Sequence, residues 1–254
     1  SRKGPPRLPG DRRSLQIVSR FLPGPALSAA ADGEVSHRRV LVWDLPTRLF
    51  HWTLVAAVAG CWWTGERGPV ETHALLGYVV LALLIFRLAW GLVGSETARF
   101  KSFLRGPAAA VAHVRHFLRR GPLEGDVGHN PVGGYSVLVL LLLLILQAVS
   151  GLFLYDEEMY WAPLNGWVSE ENAAWLGWLH DFTFTLLLAM IAVHVAAIIL
   201  YLLAKKLNLV APMLSGRAVL PAGAAEPRIA STLVALGLFA MAAFLVYLLV
   251  NYAG

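Results

Sequence analysis

Cysteine is nearly missing from this sequence: Cys61 is the only one in 254 residues. One thiol excludes an intramolecular disulfide, an iron–sulfur cluster held by cysteines, and the C-x-x-C-H pattern of covalent haem attachment. Between Gly60 and Trp62 in an apolar run, Cys61 reads as a small packing residue. Charge is scarce too. Charged residues make up 15% of the chain, against about 25% in soluble domains, which argues against a water-soluble globule. Alternating strand patterns are also missing, which leaves an all-α bundle as the fold that can satisfy its own backbone in lipid.

Long apolar runs take the place of what is absent. Apolar residues form 57% of the chain, and the runs predict spans near 49–65, 74–94, 133–155, 174–204 and 229–251. Most approach the roughly 20 residues that a lipid-crossing helix needs. The first is short and extends back toward Pro46, which suits a first helical turn. The 21 Lys and Arg are distributed very unevenly. Nine precede the first span, six lie between the second and third, and four between the fourth and fifth. The connection 155–173 holds Asp156, Glu157, Glu158, Glu170 and Glu171 without any Lys or Arg. The positive-inside bias therefore predicts a multi-pass membrane protein with a cytoplasmic N-terminus, an outer acidic loop and a C-terminus on the outer side. The net charge of +5 follows from that topology and from attraction to lipid headgroups, so no nucleic-acid partner is expected.

Three regions follow. Residues 1–39 form a basic, Pro- and Gly-rich extension in which Ser14–Leu22 could make an amphipathic turn or two. Four of the predicted spans fall within residues 40–217, and 218–254 add a fifth membrane helix. Within the longest inner connection, Pro107–Arg120 reads as a basic amphipathic helix on the membrane surface.

Imidazole inside a membrane span usually marks function. His180 and His194 are fourteen residues apart in the fourth span, so they return to within roughly 40° of one face while standing roughly 21 Å apart in depth. His51, early in the first span, matches the inner depth of His194. His73, opening the second span, matches the outer depth of His180. Two imidazoles at each of two levels, with no thiolate or carboxylate beside them, do not form a four-ligand zinc site. A planar tetrapyrrole supplies the missing ligands, so the pattern predicts two b-type haems, each six-coordinate and with no open position. The chemistry expected is outer-sphere electron transfer.

Arg48 lies one turn before His51, and Arg87 is buried in the second span near the inner level; each is a candidate partner for a haem propionate. Snorkelling toward headgroups is the competing reading for both. Asp181 follows His180 and is either a proton acceptor near a quinone or an exposed outer residue. His113 and His116 are expected to be solvated on the surface helix, and His37 and His129 to lie in loops.

The motifs then carry a resemblance. Val42-Trp43-Asp44-Leu45-Pro46-Thr47-Arg48-Leu49-Phe50-His51-Trp52, His73-Ala74-Leu75-Leu76-Gly77-Tyr78 and Phe86-Arg87-Leu88-Ala89-Trp90-Gly91 resemble the bacterial cytochrome b561 family. Gly128-His129-Asn130-Pro131-Val132-Gly133-Gly134, Leu179-His180-Asp181-Phe182 and Val193-His194-Val195-Ala196 extend the likeness. The branch is that of the b-type subunits of nickel–iron hydrogenases, over roughly 40–217. The resemblance implies a four-helix core with two b haems on His51, His73, His180 and His194. It also implies exchange of electrons between membrane quinone and a partner redox protein. A di-haem electron-transfer subunit is therefore expected, part of a hetero-oligomeric complex rather than a complete enzyme. Its outer partner would be a c-type cytochrome or a hydrogenase-like dehydrogenase subunit. The alternative is a non-redox membrane anchor for a larger respiratory or photosynthetic complex.

Overall fold

The computed structural model describes residues 36–119, 127–156 and 160–252. The stretch Ser14–Leu22 lies outside the described residues, as does Arg120. Strand β1 (His37–Leu41) leads into helix α1 (Leu45–Arg67), and a tight turn at Gly68-Pro69 reverses the chain into α2 (Val70–Val93). Two short helices follow, α3 (Phe100–Phe103) and α4 (Pro107–Leu118), and then α5 (Pro131–Gly151). A ribbon of β2 (Tyr155–Asp156) and β3 (Tyr160–Trp161) precedes the long α6 (Glu170–Lys205). Helix α7 (Val210–Ser215), strand β4 (Arg217–Pro221) and helix α8 (Thr232–Tyr252) complete the order.

The chain is mostly helical, and four helices are long and apolar enough to cross a membrane: α2, α5, α6 and α8. Helix α1 has the length, with 23 residues, but not the composition. Arg48, His51, Trp52, Trp62, Trp63, Thr64 and Glu66 crowd the two ends of its apolar middle. Helix α6 has 36 residues and so reaches about 54 Å at about 1.5 Å per residue, well beyond the roughly 30 Å hydrocarbon layer. Few of its side chains are buried against protein; Ala173, Thr183 and Leu187 are the buried ones. A helix apolar all round yet uncovered by protein belongs in lipid or against another subunit.

Helix α2 is the hub, packed against α1, α5 and α8. Leu83, Leu84, Phe86 and Trp90 form the middle of the core, and Trp90 is completely buried. Around it Asp44 does two jobs. Its Oδ1 accepts from the Thr47 amide at 2.6 Å, capping α1, and its Oδ2 accepts from Trp90 Nε1 at 3.2 Å. One carboxylate thus fixes where α1 begins and how α2 lies beside it.

The strands correct the expectation of a purely helical chain. β1 runs antiparallel to β4, from His37 opposite Pro221 to Leu41 opposite Arg217. Val40, Val42, Trp43 and Leu220 make a small core beneath this ribbon. Gly216, at φ +82°, allows the crossing: a Cβ there would lie 2.8 Å from the Trp43 carbonyl oxygen. Such short pairings escape a search for alternating runs, because each has only two to five residues. Helix α8 is tied in at the same end of the bundle. Glu96 and Arg228 exchange backbone and carboxylate hydrogen bonds at 2.9 and 3.0 Å, and Ser95 Oγ accepts from the Ala230 amide at 2.9 Å. Ala235, Ala242 and Val246 are buried along its packed side.

Replacing Asp44 with Ala should cost about 1–2 kcal/mol for the lost cap and also strand the buried Trp90 indole. Thermal unfolding of detergent-purified protein should show the loss, and Asp44→Asn should recover most of it.

Candidate functional site

The end where α1 begins and α6 finishes carries the basic segments, and the opposite end carries the acidic connection; they are called the basic and acidic ends.

At the acidic end, His73 stands in the first turn of α2 and His180 in the third turn of α6. Their ring centres are 6.3 Å apart with planes at 71°. Both rings are held by second partners. His73 Nδ1 lies 2.9 Å from the Cys61 carbonyl oxygen, which can only accept, so Nδ1 carries the proton and Nε2 keeps its lone pair. His180 Nδ1 lies 3.1 Å from Ser150 Oγ, whose own proton goes to the Leu146 carbonyl at 2.7 Å. Ser150 therefore accepts from His180, and this ring too presents a free Nε2. Fixing the ligand tautomer through the other nitrogen is how proteins orient metal-binding imidazoles.

Glycines let the helices come close behind these rings. A Cβ at Gly65 or Gly151 would lie 3.2 Å from the ring of His73 or His180 respectively. In front of the rings is a cavity of about 480 Å³, lined by His73, His180, Gly77, Leu144 and Phe184 among others. Gly77 is one turn after His73, and a Cβ added there would meet nothing within 4 Å. A smaller chamber of about 220 Å³ adjoins it, where the hydroxyls of Tyr78 and Tyr160 hydrogen-bond.

The gap suits a shared metal. With metal–nitrogen bonds of about 2.0 Å, and a ring centre about 1 Å behind each nitrogen, two imidazoles gripping one ion head-on have centres about 6 Å apart. Among the described residues no group of three or more His, Cys, Asp and Glu could hold a metal ion. A pair of imidazoles on a roomy slot of mixed but mainly apolar lining, with Glu66 and Asp181 on its wall, therefore fits a flat macrocycle that brings its own equatorial nitrogens.

At the basic end, His51 on α1 and His194 on α6 are electrostatic neighbours. His51 packs edge-on against Trp52, and its Nδ1 is buried without a partner. Arg48 Nη1 donates to the Leu214 carbonyl at 2.6 Å while its Nε has no partner. Arg87, only 3% exposed, lies over the Phe100 ring at 4.9 Å, and its Nη1 is likewise unpartnered. Both arginines thus keep a buried nitrogen without a partner, Arg48 one turn before His51 on α1 and Arg87 on α2.

Of the other histidines, His37 opens strand β1 where a loop was expected, and two more are engaged more closely than expected. His113 Nε2 is 2.7 Å from the Tyr201 hydroxyl, so it joins the surface helix to α6 and is not merely solvated. His129 is no free loop residue: its ring is clamped between Trp43 and Phe103, each centre 4.7 Å away. Burial, with Arg87 close by, lowers its pKa to about 3, so the ring is neutral. The available signal was its setting. Gly128 at φ +93° and the Asn130 cap on α5 leave His129 little freedom.

The family model for prokaryotic cytochrome b561 matches residues 42–216. The chain belongs to that family. The family's b-type cytochromes imply haem b and electron transport, and the acidic-end slot has the donors and shape for such a group. Among curated proteins, a probable Ni/Fe-hydrogenase B-type cytochrome subunit of Rhizobium leguminosarum bv. viciae is 24% identical, across 75% of this chain and 94% of the relative. The similarly named protein of Azotobacter vinelandii is 25% identical, across 73% and 92%. A probable Ni/Fe-hydrogenase 1 B-type cytochrome subunit of Escherichia coli (strain K12) is 25% identical, across 52% and 66%. No solved structure matches the chain.

Because Gly77 borders open space, a large side chain there should compete with the cofactor without disturbing the helices. Gly77→Phe should keep the far-ultraviolet circular dichroism of the wild type while lowering bound haem per polypeptide, measured by pyridine haemochrome assay.

Proposed function

We propose that this chain is a di-haem electron carrier of the bacterial inner membrane, passing electrons between the quinone pool and a redox protein on the periplasmic face. One haem would be held by His73 and His180 and the other by His51 and His194. The observation that carries this reading is the 6.3 Å spacing of the first pair, with both Nε2 lone pairs left free by their second partners. The fourteen-residue step along α6 separates the two levels by roughly 21 Å, which spreads the centres across the membrane.

Helix α1 serves as the first of five spans in this reading. Its length is sufficient, it packs antiparallel on α2, and its tryptophans sit near the two interfaces. The bias of Lys and Arg places the basic end in the cytoplasm and the acidic connection outside. Haems held between these imidazole pairs would supply one-electron, outer-sphere chemistry. Cys61 and Ser150 would orient the acidic-end rings, Leu144 and Phe184 would give that slot apolar wall, and Arg48 and Arg87 would be the residues to meet propionates. The relatives' names support a nickel–iron hydrogenase-like partner, with a c-type cytochrome as the alternative, in a hetero-oligomeric complex. Residues 40–217 would form the haem domain, with 1–39 and 218–254 added to it.

Reduced-minus-oxidised spectra of the purified protein should resolve two b-type centres. His180→Ala should remove one and leave the other. A wild-type protein carrying a single centre would overturn the assignment.

A further inference from the structure

The basic end contains an anion deficit. Every buried side-chain nitrogen or oxygen without a hydrogen-bond partner, among the described residues, belongs to Thr47, Arg48, His51, Arg87 or His129. Arg87 is almost wholly enclosed and forms no salt bridge among the described residues. Its nearby carboxylate, Asp44, is already spent on the Thr47 amide and the Trp90 indole. A buried guanidinium with an idle N–H is costly unless an acceptor arrives. The idle Nδ1 of His129 lies in the same neighbourhood, linked to Arg87 through the ring series Phe100, Phe103, His129. Arg87, His51 and His194 all act on His129 electrostatically.

Both idle groups belong to this one end of the molecule, where a single acceptor group can serve the two. A carboxylate satisfies both, accepting from Arg87 Nη1–H with one lone pair and from His129 Nδ1–H with another. The aromatic clamp explains why an imidazole can do this: Trp43 and Phe103 fix the ring plane, and Gly128 and the Asn130 cap fix the backbone. Resting on the di-haem reading, we infer that His129 is a positioning residue of the basic-end haem, which with Arg87 binds one of its propionates. A donor on that carboxylate disperses negative charge beside the iron and so raises the midpoint potential.

The test uses full-length protein in detergent, titrated optically. His129→Leu should lower the midpoint of the basic-end centre and hasten its haem loss to apomyoglobin, with the acidic-end centre unchanged; His129→Gln should restore much of both. Resonance Raman should show the propionate bending band shifting between wild type and His129→Leu, a readout independent of turnover. Unchanged midpoint, haem retention and propionate band in His129→Leu would overturn the assignment. So would a variant that loses only quinone turnover, which would place His129 at a substrate site instead. If His129→Leu does not assemble, Arg87→Gln read by the same band decides, since an unshifted band there also overturns the shared site. Two centres persisting in His51→Ala would show instead that His51 holds no haem, so that the basic-end assignment on which this inference rests fails.

Discussion

Everything in this molecule turns on the cost of placing imidazole in an apolar slab. A neutral ring carries one donor and one acceptor, and lipid offers neither. At the acidic end the protein answers half of that demand, through the Cys61 carbonyl and the Ser150 hydroxyl, and leaves the other nitrogen of each ring aimed at an open slot. The fold is built to keep that half-satisfaction stable. Glycines at 65 and 151 let helices press close behind the rings, and the alanine-lined side of α8 lets it lie against α2.

Architecture follows from the same constraint. In the di-haem reading helix α6 supplies one histidine to each of two levels, which asks for an unbroken crossing of the apolar layer, and the helix runs uninterrupted for 36 residues. The partner histidines come from α1 and α2, which a tight turn at Gly68-Pro69 keeps adjacent and antiparallel. Asp44 locks those two helices at the basic end through the cap and the Trp90 indole. With ligand spacing set by helix rise and lateral spacing set by these contacts, the geometry needs no metal-binding loop.

Much of this was legible in the sequence because membrane spans leave strong signals. Apolar runs located all five long helices to within a few residues, and Pro107 with the basic stripe after it located the surface helix. The fourteen-residue interval by itself sets His180 and His194 within roughly 40° of one helix face. What escaped was tertiary in origin. The β1–β4 ribbon joins residues about 180 positions apart, and each strand is too short to leave a periodic trace. His129 does lie in the loop before α5, but its aromatic clamp is not legible there, because Trp43 is far upstream and Phe103 belongs to a helix of four residues. The partner of His113, Tyr201, likewise sits in another element.

The tyrosine pair beside the acidic-end cavity has a consequence for electrical insulation. Tyr160 belongs to the β2–β3 ribbon and is followed by Trp161, which is 67% exposed, while its hydroxyl reaches Tyr78 on the wall of a chamber that His73 also lines. Two tyrosine rings therefore bridge the ribbon to the chamber that His73 lines. A molecule seated on that ribbon would be coupled to the imidazole through hydrogen-bonded phenols rather than through aliphatic packing.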